Sequence, residues 1–214
     1  MTDDYEFPAL PLSGIRAGTT VLVAGSFHAG TRRLALRLLG GPRDEGAIVV
    51  TTNQRAERIV EEFAQSGVEV ARDSAAIIDC VGDPDAELPA RLVTVSGPAD
   101  LTGIGMRFSD VYTDFRGNDI DRVRTGLCSV STLLTFSDLK TVSRFVHTLV
   151  GRVGQVDGLG VLLVDPSNHD ERAVSTLSQF CDGRIDVRAD ETDRPELRAR
   201  GLSDQRRGWQ SFEL

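Results

Sequence analysis

Short apolar runs alternate along this chain with stretches of helical periodicity. The runs are TVLVAG (20–25), AIVVTT (47–52), AAIIDC (75–80) and GLGVLLVD (158–165). Between them, Leu34, Ala35, Leu38 and Leu39 share one side of a helix, and Ala56, Ile59, Val60 and Phe63 make a second stripe. Leu139, Val142, Val146, Leu149 and Val153 make a third, with Phe145 beside it. A run such as GLGVLLVD, apolar at every step, belongs to a strand buried on both faces. Strands of that kind alternating with amphipathic helices predict an α/β fold with a mostly parallel sheet covered on both sides.

Local signals refine the expectation. Asn53 is placed to cap the second helix and Gly67 to end it. RLVTVSG (91–97) reads as extended, and DLTGIGMRFSDVYTDF (100–115) as a helix irregular at its glycines. RVRTGLCSVSTLL (122–134) begins as a strand, and Ser137 is placed to cap the long helix after it. GRIDVRAD (183–190) and RGWQSFEL (207–214) read as antiparallel neighbours that close the chain.

The chain has 214 residues, 40% hydrophobic, which suffices for one sizeable core. We expect a lead-in at 1–18 and one domain at 19–214. Lys+Arg is 24 against 32 Asp+Glu, a net charge of -8, which disfavours a general nucleic-acid binder. The one lysine is Lys140, and the other basic residues are arginines. An acidic, lysine-poor chain fits a high-salt cytoplasm, and biased codon usage in a mesophile is the alternative. No signal peptide and no membrane span is read, so a soluble, cytoplasmic protein is expected. Cys80, Cys128 and Cys181 lack metal-ligand spacing and read as small buried thiols.

The loop after the first strand carries the chemical question. Gly25 and Gly30 have the spacing of G-x-x-x-x-G-K-[ST], between a strand and a helix. In that motif backbone amides cradle phosphates, the lysine reaches the terminal ones, and the hydroxyl holds magnesium. Here Thr31 takes the lysine place and Arg32 the hydroxyl place. The candidate phosphate-loop residues are Gly25, Ser26, Phe27, His28, Ala29, Gly30, Thr31 and Arg32. The alternative is a tight turn with no ligand. His28 reads as a polar loop residue.

Beyond the loop, the ordered segments VLVAGSFHAGTRRLA, AIVVTTNQRAERIVEEFAQSGV, AAIIDCVG and SVSTLLTFSDLKTVSRFVHTL resemble the RecA/KaiC-like ATPases. More narrowly, they resemble small haloarchaeal HTR-like proteins. The resemblance runs from about residue 15 to 214 and implies a RecA-like three-layer sandwich with antiparallel C-terminal strands. It also implies a lysine and hydroxyl in the loop, acids at the end of the second strand, and an aspartate ending the central strand. This chain has Thr31-Arg32, Asn53-Gln54 and Cys128 at those places. Amides are no general base near neutral pH, and a thiol is a poor magnesium ligand. The expectation is therefore a non-catalytic, regulatory or scaffold protein acting through a protein partner or self-assembly. A nucleotide sensor binding ATP or ADP through the altered loop is the alternative, and a DNA-binding protein is less favoured.

Other candidates stay open at this stage. Asp165 ends a strand as a metal-holding acid would, or is a turn acid. Asp79 ends another strand. His169 and Asp170 follow Asp165, Asp170 as a helix cap. His147 reads as a partly buried structural histidine.

Overall fold

The computed structural model describes residues 4–82, 86–168 and 171–213. His169 and Asp170 lie outside the described residues. The strands are β1 (Thr20–Ala24), β2 (Glu45–Thr51), β3 (Ala75–Asp79), β4 (Arg91–Thr94), β5 (Arg122–Cys128), β6 (Leu159–Val164), β7 (Gly183–Ala189), β8 (Pro195–Arg200) and β9 (Gln210–Ser211). The helices are α1 (Thr31–Leu39), α2 (Ala56–Gln65), α3 (Leu101–Gly117), α4 (Val130–Phe136), α5 (Leu139–Gln155) and α6 (Glu171–Ser178). Among the described residues they form one nine-stranded sheet in the order β4-β3-β2-β5-β6-β1-β7-β8-β9. Pairing is parallel from β4 through β7 and antiparallel for β8 and β9. No described helix is long and apolar enough to cross a membrane.

Strand alternation sorts the core into two layers. Val21, Val23, Val49, Ile77 and Val161 face α1 and α2, where Leu34, Ile59 and Phe63 meet them. Leu22, Ile48, Val50, Ile78 and Leu162 face α3 to α6, against Ile104, Val146 and Leu177. The result is the three-layer α/β sandwich of the RecA type. Tyr5, Phe7, Leu10 and Ile15 from the lead-in join the α1/α2 layer.

Four local expectations are corrected. Asn53 is exposed and does not cap α2. The Asp79 carboxylate, brought in from β3, instead accepts the Ala56 amide at 2.6 Å. The stretch after β5 turns into α4, so Ser137 ends that helix and Asp138 caps α5, accepting the Thr141 amide at 2.9 Å. The last two expected strands are not neighbours, because β8 lies between β7 and β9. Pro195–Arg200 has few apolar residues, and pairing against β7 supplies what its sequence does not advertise. His147 is exposed, one residue off the buried stripe of α5, with its ring 5.5 Å from Phe180.

Candidate functional site

In a sheet of this type, ligands bind beyond the carboxyl ends of the strands. β1 lies between β6 and β7, so the loop at 25–30 emerges at that edge beside Asp165 and Val187. The Gly25 amide donates to the Val164 carbonyl at 3.3 Å. A Cβ on Gly25 would stand 2.5 Å from the Val187 carbonyl oxygen and 2.7 Å from Thr31 Oγ1. Glycine is thus required by close packing on β7.

The loop then closes on itself as a short 3-10 turn, Phe27–Ala29. The His28 amide donates to Ser26 Oγ at 3.3 Å. The Ala29 amide donates to the Ser26 carbonyl at 3.0 Å and the Gly30 amide to the Phe27 carbonyl at 3.4 Å. Gly30 takes the left-handed conformation, φ 83°, that lets α1 start at once. Thr31 is fully buried, and its hydroxyl donates to the Ser26 carbonyl at 2.5 Å. Three successive amides and the Thr31 hydroxyl are therefore all satisfied within the loop. His28 points to solvent, as a polar loop residue should.

Arg32 turns back onto the side of the loop at Phe27. Its guanidinium carbon lies 4.8 Å above the Phe27 ring, and Nη1 is buried without a hydrogen-bond partner. It lies near enough to Cys128 that its charge favours the thiolate there. Burial outweighs that effect, with Glu62 adding to it, and pushes the Cys128 thiol up to about 12. Cys128 is thus a neutral thiol at physiological pH.

The ends of β2 and β5 are bound together. Thr52 Oγ1 donates to the Cys128 and Ser129 carbonyls at 3.0 and 2.9 Å. Ser129 adopts φ 95°, a conformation costing a non-glycine residue about 1–3 kcal/mol. Its Oγ accepts the Thr132 amide at 3.2 Å and so caps α4. Gln54 is half-buried with Oε1 unpartnered, whereas its carbonyl accepts the Thr51 hydroxyl at 2.7 Å.

The two strand-end acids, Asp79 and Asp165, hold the backbone around them. Asp79 Oδ1 accepts the Val81 and Gly82 amides, each at 2.8 Å, while Oδ2 holds Ala56. Asp165 Oδ1 accepts the Ser167 amide at 2.9 Å and hydroxyl at 2.6 Å, the turn-acid reading. Among the described residues no three His, Cys, Asp or Glu side chains are grouped to hold a metal ion. Sequence reasoning missed Asp79 as the α2 cap and Thr52 as the β2–β5 clasp. Both act on residues far along the chain, so no local spacing could reveal them.

The fold is similar to the crystal structure of a KaiC-like protein from the hyperthermophilic archaeon Pyrococcus horikoshii OT3. The TM-score is 0.68 at 14% identity, over 99% of this chain and 93% of that one. No curated protein matches the chain. A family model described as a family of unknown function, DUF7504, matches residues 18–187, from just before β1 into β7. On that match the chain belongs to the DUF7504 family.

Proposed function

We propose that this protein is a RecA/KaiC-like domain that does not hydrolyse ATP, a regulatory or scaffold protein acting through protein contacts. One observation carries the reading: Thr31 fills the lysine place, and its hydroxyl and the amides of residues 28–30 are spent inside the loop. A phosphate would have to break those bonds and would meet no lysine. The residue at the metal position does not fit magnesium either, since Cys128 is a neutral thiol and magnesium takes hard oxygen ligands. Asn53 and Gln54 leave no carboxylate at the end of β2 to activate water.

Calorimetry of ATP and ADP, with and without magnesium, tests the reading. No heat of binding is expected for folded protein at millimolar nucleotide. Submillimolar binding that Arg32→Ala abolishes would replace it with the nucleotide-sensor reading, which the unpartnered Arg32 Nη1 favours.

We also read residues 19–214 as one domain, onto which the lead-in packs through Tyr5, Phe7 and Ile15; we read the chain as haloarchaeal, which the net charge of -8 and the single lysine support. Carboxylate self-repulsion is screened as salt shortens the Debye length from about 10 Å at 0.1 M to about 3 Å at 1 M. The melting temperature should therefore rise on going from about 0.1 M to about 1 M KCl. A melting temperature that stays level or falls would remove the high-salt assignment.

A further inference from the structure

The outward face of α5 departs from the rest of the molecule. Its sequence, LKTVSRFVHTLVGRVGQ, carries Lys140, Arg144 and Arg152 with no acid, in a chain of net charge -8. Lys140, Arg144 and Arg152 are all exposed. Among the described residues Lys140 and Arg144 have no ion-pair partner. On the neighbouring α3, by contrast, Asp110 lies 3.6 Å from Arg107 and Asp114 2.5 Å from Arg91. The exposed Asp138 at the cap of α5 stands two residues from Lys140, so the excess positive charge of this face is carried by Arg144 and Arg152.

Between α3 and α5 runs a recess of about 380 Å³. Leu101, Met106, Phe145 and Leu149 supply its apolar surface, and Arg144 and Arg152 its charged rim. Met106 is 63% exposed, the largest exposure among the large hydrophobic side chains described. Arg152 Nη1 is fixed in place by the Gly105 carbonyl at 2.8 Å and Ser109 Oγ at 2.6 Å. A Cβ on Gly105 would meet nothing nearer than that nitrogen, at 3.9 Å, so the α3 backbone is open to close approach.

We propose that this groove docks an amphipathic, acidic helix of a partner protein. An apolar stripe would lie on Leu101, Met106 and Phe145, and flanking carboxylates would meet Arg144 and Arg152. Helix-in-groove recognition uses this combination of an apolar floor and a charged rim. A nucleic acid would instead need a broad basic surface, and the floor here is apolar. The inference gives the proposed protein contacts a place, and it stands apart from the state of the loop. ATP binding by calorimetry would end the pseudo-ATPase reading and leave the groove untouched.

The test is fluorescence anisotropy on the full chain, in KCl at which circular dichroism shows the fold intact. The probe is a labelled synthetic helix with leucines at i, i+3, i+4 and i+7 and glutamates on both flanks. Its counterpart has lysine for every glutamate. We expect the acidic helix to bind and the lysine helix not to. Met106→Glu and Arg144→Glu, both on exposed side chains, should each weaken binding about tenfold or more, the effect of losing one anchor or one paired charge. Arg43→Glu, the same charge change on a 96% exposed side chain outside the groove, should leave binding unchanged. Failure of the acidic helix to bind, or equal loss in all three variants, overturns the proposal. So does tighter binding of single-stranded DNA or of phosphatidylglycerol vesicles than of the acidic helix. Self-association abolished by Met106→Glu, with no peptide binding, would make a second copy the occupant and would equally overturn it.

Discussion

At Thr31 a branched, uncharged side chain opens α1, fully buried, and the loop before it is built around it. Its hydroxyl shares the Ser26 carbonyl with the Ala29 amide. Thr31→Val removes that bond and should cost about 1 kcal/mol, read as a lowered urea midpoint at unchanged slope. Asp79 is a more demanding single residue, since three amides converge on one buried carboxylate. Asp79→Ala strips all three donors of their acceptor; the buried Ala56 amide left unsatisfied costs about 1–3 kcal/mol, and the part-buried Val81 and Gly82 amides, which water can reach, cost less. We expect Asp79→Ala to be among the most damaging single changes and Asp79→Asn, which keeps one acceptor oxygen, to lie between it and the wild type. Titration adds a further residue-scale test. Burial pushes the Cys80 and Cys128 thiols from 9.0 to about 12, and the Tyr5 phenol from 10.0 to about 12. The unfolded chain therefore releases these protons first while the folded chain still holds them. Their contribution to stability is intact below about pH 9 and is lost as pH rises from 9 towards 12. Urea midpoints should fall across that window, and a Cys80→Ala, Cys128→Ala double variant should show a shallower fall.

At the scale of elements, β2 and β5 are joined by a buried charge pair, Arg124 with Glu45, whose other carboxylate oxygen takes the half-buried Arg122 at 3.0 Å. Arg124 is 1% exposed, and its Nε donates to Glu45 Oε2 at 2.5 Å. Its other nitrogens reach the Leu38 carbonyl at 3.0 Å and the Glu6 carbonyl at 3.4 Å. The Tyr5 and Phe7 rings lie 5.2 and 5.1 Å from the guanidinium carbon. Such a pair contributes little net stability, but breaking it strands a buried charge. Glu45→Gln should cost about 3–5 kcal/mol, and the apolar double replacement Arg124→Met, Glu45→Leu distinctly less. A double-mutant cycle by urea unfolding checks this, and equal losses would mean that the pair itself stabilises. The C-terminal strands obey the same tertiary logic. β8 alternates Leu197 and Ala199 towards the core with Arg198 and Arg200 on the other face, where both meet Asp186 of β7. Arg188 and Arg198 then lie 4.1 and 4.6 Å from the Trp209 ring. Apolar periodicity over so few residues is too weak to mark a strand without its neighbour.

For the whole molecule, the two ends of the chain matter more than their composition suggests. Tyr5 is fully buried, and its hydroxyl donates to the Asp157 carbonyl at 3.1 Å. Ser13 bonds Gln205 at 3.0 Å and the Asp204 carbonyl at 2.8 Å, which pins the lead-in to the loop before β9. Tyr5→Ala should cost about 3–5 kcal/mol, as large aromatic truncations in cores do. A melting temperature unchanged by Tyr5→Ala would mean that the lead-in is dispensable.

The sequence by itself determined the parallel sheet, the two covering helix layers and the position of the loop. Those features follow from hydrophobic periods of two and 3.6, which each segment carries alone. It also determined that the loop after β1 holds no lysine and that the carboxyl ends of β2 and β5 carry Asn53, Gln54 and Cys128, because that is a matter of residue identity. Tertiary structure decided what those residues do instead. It turned the amides of residues 28–30 inward, drew Arg32 towards Phe27 and Cys128, and set Asp79 as the cap of α2. It also inserted β8 between β7 and β9 and opened the groove between α3 and α5. The approach of Arg32 to Cys128, the cap of α2, the place of β8 and the groove depend on which distant segments become neighbours, whereas the turn at residues 27–30 is closed locally. A hydrogen bond or a buried contact between residues far apart in the chain leaves no periodic trace in either one.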